Sequence, residues 1–253
     1  MNQIFQTILV QPIVNLLIWL YNVLPGGDLG FAIIVLTIIV KAILYPFTVA
    51  QIKQQRALQE IQPKIEEIRA RLKSDKEAQA KELMELYRKE KVNPASSCLP
   101  LLIQLPIFIG LFQALRDSLA SRGLNLLYPF VANPGSINHI FLGIVDLSKP
   151  SIPLAVIAGA IQFVQSWQMM KKPSLTTPPP VEVEGAPAAK DEGMAAMMNK
   201  QMMYIMPIMT IVIGFSLPGG LALYWGVMSA LTVAQQAWML RRPTPPEAKA
   251  HLA

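Results

Sequence analysis

Lys41 is the residue placed to do chemistry. It follows a charge-free window at 29–40, and the next charge is Lys53, so it lies inside what hydropathy makes a membrane-spanning helix over about 29–50. On a straight helix it would sit roughly 14 Å from one end of that span and roughly 18 Å from the other, at 1.5 Å per residue. A lysine at such depth costs about 2.5–3.5 kcal/mol unless it faces protein or water. Thr37 is one turn away, and other spans carry polar residues able to line a wet cavity: Gln104 and Gln113 on the second, Gln162 and Gln165 on the third, Ser229, Thr232, Gln235 and Gln236 on the last. No acidic residue falls inside a span, since Asp28, Asp117 and Asp146 lie in outer segments. A cation without an internal counter-ion attracts carboxylates from something that enters, whereas proton-coupled transport normally needs intramembrane acids. The plainer alternatives are snorkelling of Lys41 to the headgroups and simple interhelical hydrogen bonding by the amides. A polar cavity is what separates these readings.

Other chemistry is thinly represented. Cys98 is the single cysteine and cannot form an internal disulfide, and His139 and His251 are too isolated to build a metal site. There is no Gly-x-Ser-x-Gly, no His-Glu-x-x-His and no histidine in any span, so neither a catalytic constellation nor a cofactor is expected and an enzyme is a weak reading. Methionines crowd the third-to-fourth connection, from Met169 to Met209, where flexible thioethers suit surfaces that accept many apolar shapes.

The elements that must position these residues follow from composition. Of 253 residues 53% are hydrophobic and only 15% charged, with a net charge of +6, and long windows carry no charge at all: 1–27, 29–40, 92–115, 150–170 and 201–240. A soluble domain has about 25% charged residues, so a polytopic all-α membrane protein is expected. Pro218-Gly219-Gly220 divides the longest window, giving five spans at 28–50, 95–115, 151–170, 201–217 and 218–240. Eleven Lys and Arg lie between Lys53 and Lys91, four in the 171–200 segment and three after Leu240, against three in the 116–150 loop. The positive-inside rule therefore places 51–94 and the 241–253 tail in the cytoplasm and the amino terminus outside.

Residues 1–27 hold a polar row, Gln3, Thr7, Gln11 and Asn15, on one helical face, which suits an amphipathic helix in the outer interface; a sixth span is the competing reading. No Lys or Arg precedes Lys41, so no cleaved secretory signal is expected and Met1 reads as the mature start. In 51–94 the apolar positions Leu58, Ile61, Ile65, Ile68 and Leu72 repeat three-four, Ala80, Leu83 and Tyr87 continue the stripe, and 73–76 reads as the turn of an antiparallel helical hairpin. Pro63 should kink its first helix. At about 40 residues the hairpin is longer than a linker needs, so it is expected to touch a partner. The 116–150 loop reads as turns with a short surface helix, and the Pro-rich 171–200 segment as a disordered linker.

These residues resemble the YidC/Oxa/Albino family of membrane protein insertases over nearly the whole chain. The resemblance rests on Ile39-Val40-Lys41-Ala42-Ile43-Leu44-Tyr45-Pro46, on Leu58-Gln59-Glu60-Ile61-Gln62-Pro63-Lys64, on Lys91-Val92-Asn93-Pro94 leading to Cys98-Leu99-Pro100, and on Phe215-Ser216-Leu217-Pro218-Gly219-Gly220 running into Tyr224-Trp225. It implies the compact five-span bacterial form, with a hydrophilic groove open to cytoplasm and lipid and closed to the outside, in the bacterial inner membrane. Lys41 takes the family's groove-arginine position, keeping the charge without the guanidinium fork. Gln165 and Gln162 match a groove position on the third span, and Trp225 an aromatic one on the last. The implied partners are nascent membrane proteins and the lipid bilayer, with a Sec translocon, signal recognition particle receptor and ribosome as delivery partners. The tail has only Arg241, Arg242 and Lys249 as cations, so the long basic ribosome-binding tail of some relatives is absent. No direct nucleic-acid binding is expected.

The reading is thus an insertase without a covalent reaction. The rival is a small-solute or anion transporter or channel with Lys41 as its anion site, which should show inverted repeats; none is visible.

Overall fold

The computed structural model describes residues 3–93, 99–119, 126–170 and 204–241. In chain order its helices are α1 (Gln3–Val23), α2 (Leu29–Ile43), α3 (Tyr45–Glu60), α4 (Gln62–Arg71), α5 (Lys76–Lys89), α6 (Leu99–Leu119), α7 (Ile152–Met170), α8 (Tyr204–Gly214) and α9 (Gly219–Arg241). Between α6 and α7 lies a two-stranded antiparallel ribbon, β1 (Ile140–Phe141) and β2 (Val145–Asp146). The expected linker at 171–200 and most of the expected tail, 242–253, lie outside the described residues, as do most of the clustered methionines.

Proline decides where the first long apolar run stops being one helix. Pro46 has no N–H to give and sits in the first turn of α3, so α2 ends at Ile43, Leu44 caps it, and α3 leaves at 66°. The single helix expected over 28–50 is therefore two helices, and Lys41 lies in the last turn of α2, not at the middle of a straight span. Pro63 acts likewise. The chain breaks at Ile61, and Pro63 occupies the first turn of a new helix, α4, rather than kinking one helix from within. Among the described residues α1 is a single helix long and apolar enough to cross a membrane, and α2 with α3 reaches the same length and apolarity as a bent pair.

The main core gathers Val10, Val14, Leu17 and Ile18 of α1, Leu29, Ile33 and Leu36 of α2, Leu111 and Leu115 of α6, and Leu221, Tyr224 and Met228 of α9. Val131, Ile137 and Leu147, from the segment between α6 and α7, join it. The polar row of α1 does not face water along its second half. Asn15 is only 3% exposed; its Nδ2 donates to the carbonyl of Leu126 at 2.9 Å and its Oδ1 accepts from the N–H of Tyr128 at 2.6 Å. Gln11 Nε2 donates to the same Leu126 carbonyl at 3.2 Å and Asn22 Nδ2 to that of Ala132 at 2.7 Å. The exposed residues of α1 include the apolar Ile4, Ile8, Trp19 and Val23 beside Gln3, Thr7 and Asn22.

The ribbon departs from an all-α fold. Leu142 and Gly143 both adopt positive φ, 53° and 72°, and the N–H of Ile144 returns to the carbonyl of Phe141 at 3.0 Å, the geometry of a type I′ hairpin turn. Asp28 fastens this turn to the start of α2. One carboxylate oxygen accepts from the N–H of Gly30 at 2.7 Å as a helix cap, and the other from the N–H of Leu142 at 2.9 Å. Position 30 admits only glycine here, because a Cβ would stand 2.0 Å from the Phe141 ring.

At the far side α7, α8 and α9 meet through small residues. Gly214 lies against Ala155, Gly226 against Ala158, and a Cβ at Gly159 would stand 2.3 Å from Ile211. A second, separate core joins α4 and α5 across the 72–75 turn. Ile61, Ile65 and Val92 are buried against Ala57, Leu58, Leu83, Leu86 and Tyr87. Asp75 caps α5 through the N–H of Ala78, Lys64 pairs with Glu90 at 2.6 Å, and Arg71 pairs with Glu82.

Candidate functional site

Lys41 is half-buried and donates from Nζ to Thr232 Oγ1 on α9 at 2.9 Å. The threonine is oriented for this. Its own proton goes back to the carbonyl of Met228 at 2.8 Å, which leaves oxygen lone pairs toward the ammonium. The last turn of α2 is the negative end of the helix dipole and favours a cation there. Among the described residues no carboxylate pairs with Lys41. One turn further along α9, Gln235 Nε2 donates to Thr48 Oγ1 of α3 at 3.2 Å, and the Thr48 hydroxyl in turn reaches the carbonyls of Leu44 and Tyr45. Polar groups from α2, α3 and α9 therefore meet beside the bend at Leu44, joined by two interhelical hydrogen bonds.

The other expected groove residues distribute unevenly around this meeting point. Ser229 lies on α9 one turn before Thr232 and is 5% exposed. Gln104 Nε2 donates to the Tyr224 hydroxyl at 2.6 Å, tying α6 to α9. Trp225 meets Phe108 of α6 edge to face, with ring centroids 5.6 Å apart. Gln162 takes the Thr210 hydroxyl proton, joining α7 to α8, and Gln165 lies half-buried one turn on. Thr37 is fully buried, and its hydroxyl bonds back to the carbonyl of Ile33 at 2.6 Å, so it faces its own helix rather than Lys41.

The apolar stripe of α3 and α4 is largely enclosed. Ile61, Ile65 and Ile68 are buried, Leu58 and Leu72 half-buried, and Pro63 exposed. Thr210 is a polar anchor that sequence reasoning did not single out, while Tyr224 entered it only within a motif and Asn15 only as part of a polar row on an interfacial helix. Each sits in a charge-free window, and a buried hydroxyl or amide among aliphatics was the available signal. No group of three or more His, Cys, Asp or Glu side chains comes together among the described residues.

The family model described as the 60Kd inner membrane protein matches residues 19–246. The chain belongs to this family. Relatives of the 60Kd inner membrane protein family bear the name "Membrane protein insertase YidC". One, from Neisseria gonorrhoeae (strain ATCC 700825 / FA 1090), is 37% identical over 231 residues, covering 89% of this chain and 35% of the relative. Another, from Fusobacterium nucleatum subsp. nucleatum, is 34% identical over 216 residues, covering 85% of this chain and 88% of the relative. This member of the family thus spans about a third of the Neisseria protein and most of the Fusobacterium one. A crystal structure of an active YidC insertase, with its first transmembrane domain resolved, superposes with a TM-score of 0.62 at 28% identity, covering 96% of this chain and 48% of the other. The family fold therefore holds across nearly the whole chain.

Proposed function

We propose that this protein is a membrane protein insertase that moves nascent integral membrane proteins into the lipid bilayer without a covalent step. Five spans, α2 with α3, α6, α7, α8 and α9, surround a hydrophilic groove open to cytoplasm and lipid. The α4–α5 hairpin lies in the cytoplasm with the carboxyl terminus, and α1 lies at the outer interface, a placement supported by its bonds to the 126–132 segment. The setting is the bacterial inner membrane, and the transporter reading finds no support among the family's names.

The observation that carries the reading is Lys41 on Thr232, a half-buried cation held by a neutral hydroxyl rather than by a carboxylate. A neutral partner leaves the charge available to an incoming acid. The hairpin receives a client, Lys41 draws acidic residues of its translocating tail into the groove, and polar side chains on α9 and α3 substitute for water along the way. Hydration of part of the bilayer shortens the apolar barrier. The client's hydrophobic segment then leaves sideways into lipid, favoured by ~0.8 kcal/mol per buried CH₂. Delivery by a Sec translocon, a signal recognition particle receptor or a ribosome is compatible with this path.

The test is complementation of insertase-depleted cells with wild type, Lys41→Arg and Lys41→Ala, scoring insertion of a single-span client with an acidic outer tail. Rescue by wild type and Arg but not Ala is expected. Full rescue by Ala would remove Lys41 from the mechanism, and failure of well-expressed wild type would remove the insertase.

A further inference from the structure

The β1–β2 ribbon exposes apolar side chains at its tip. Phe141 and Val145 stand opposite each other in register and pack on the main core. A ribbon with one packed face normally gives polar residues to the other. Here Ile140, Leu142 and Ile144 are 44%, 58% and 82% exposed, and 140–145 holds no polar or charged side chain. The turn also departs from the residues its backbone favours. Both central positions of a type I′ turn have positive φ, which selects Asn-Gly or Asp-Gly. Leu142 takes the first of them at φ 53°, its N–H held by Asp28 at 2.9 Å. A bulky apolar residue in the left-handed region, more than half exposed, is a poor choice for a turn that meets only water.

The direction of the ribbon decides what the tip meets. Its base sits over the middle of the bundle. Leu147 is fully buried, and its carbonyl and that of Lys149 accept from the N–H groups of Gly220 and Gly219 at the start of α9, at 3.0 and 2.8 Å. Leu221, Ala222, Leu223 and Tyr224 follow, all buried. The tip lies instead at the start of α2. There Phe141 meets Phe31 edge to face, with ring centroids 5.6 Å apart, and Phe31 is itself exposed. The apolar exposed side of α2 thus continues through these two rings onto the ribbon. Asp28 both caps α2 and holds Leu142, so the tip stands level with the end of a membrane-spanning element, where hydrocarbon gives way to headgroups. The ionic pair of the ribbon, Lys149 with Asp146 at 3.0 Å, is at its base.

We propose that Leu142 and Ile144 form a lipid anchor. The ribbon tip inserts into the bilayer interface around the start of α2 and holds the first turn of that helix at the membrane surface. The occupant is the acyl-chain boundary of the surrounding lipid, because an uncharged tip offers nothing to select a charged headgroup. The anchor rests on the insertase reading, which makes α2 part of a span.

The test places a nitroxide spin label at Ile144→Cys in Cys98→Ser protein, reconstituted whole in phosphatidylcholine vesicles. Collisions of the label are measured with oxygen, which concentrates in lipid, and with a nickel chelate present in the water on both sides. Ile144 is mostly exposed, so the label displaces little of the fold. Frequent oxygen collisions and few nickel ones are expected. Frequent nickel collisions would put the tip in water and overturn the proposal. Protection from both would also overturn it and give the tip to a second copy of this chain. Leu142→Asn supplies a second arm, since asparagine suits positive φ and a residue needed only for the turn would be neutral or improved by it. Loss of the anchor should instead raise nickel collisions at 144 several-fold, and an unchanged ratio would overturn the assignment of Leu142. No client moves in this experiment, so its failure leaves the insertase reading standing. Wild type that inserts nothing sinks that reading, whatever the label reports.

Discussion

Single side chains carry more of this structure than their number suggests. Asn15 is the clearest, since it serves one carbonyl and one N–H of the outer segment from within an apolar helix. Asn15→Ala should cost about 1–3 kcal/mol, because Tyr128 loses its acceptor in a buried setting, and a lowered unfolding midpoint in detergent is the check. Asp146 offers a test by titration. Bonds from the Ser148 side chain first, then from Lys149 and the Ser148 N–H, hold its carboxyl down to about 2. Since its folded value lies below the ordinary 3.8, its contribution to stability is present above about pH 4 and is lost as pH falls toward 2. Ser148→Ala should raise the value, as followed by the Asp146 carboxyl resonance, and a value that stays put would disprove the assignment. At Lys41, Thr232→Val removes the side-chain partner that the ammonium has among the described residues. Insertion of an acidic-tailed client should fall, though less than in Lys41→Ala, because the charge remains.

At the scale of elements, close packing between helices leaves little room. Gly159→Leu would drive a side chain into Ile211 and should destabilise the α7–α8 contact by about 1–3 kcal/mol; thermal unfolding in detergent measures it. Deletion of 175–192 should leave insertion nearly intact, whereas deletion of 58–88 should impair it, and equal losses from the two in a client-insertion assay would refute that division of roles. How legible these elements were depends on the kind of signal each emits. Apolar length showed α7 and the α8–α9 break at Pro218, and the three-four stripe showed that α4 and α5 would share a seam. Hydropathy could not show the bend at Leu44, because it averages over a window and is blind to the one missing N–H at Pro46. The four-residue spacing of Gln11 and Asn15 marked a polar face correctly, but spacing carries no information on whether that face meets water or a loop more than 100 residues away. Lys41 was legible as a lone cation, and its hydroxyl partner, 191 residues distant, was not.

For the molecule as a whole, the proposed insertase reading gives a path with a direction: charged hairpin, Lys41, and an outer end that the reading requires to be closed. Liposomes containing the protein should therefore take up no small anions above background while still inserting a single-span client, and anion flux at a transporter's pace would contradict the closed outer end. At that end lies Asp28, whose two oxygens hold the amides of Gly30 and Leu142. One carboxylate thus welds residues 112 positions apart into a single cooperative unit of local unfolding. The first turn of a helix normally frays by itself. Here it cannot open without releasing the ribbon, so the amide hydrogens at 30 and 142 should exchange with deuterium at one shared rate, and Asp28→Ala should split that rate in two.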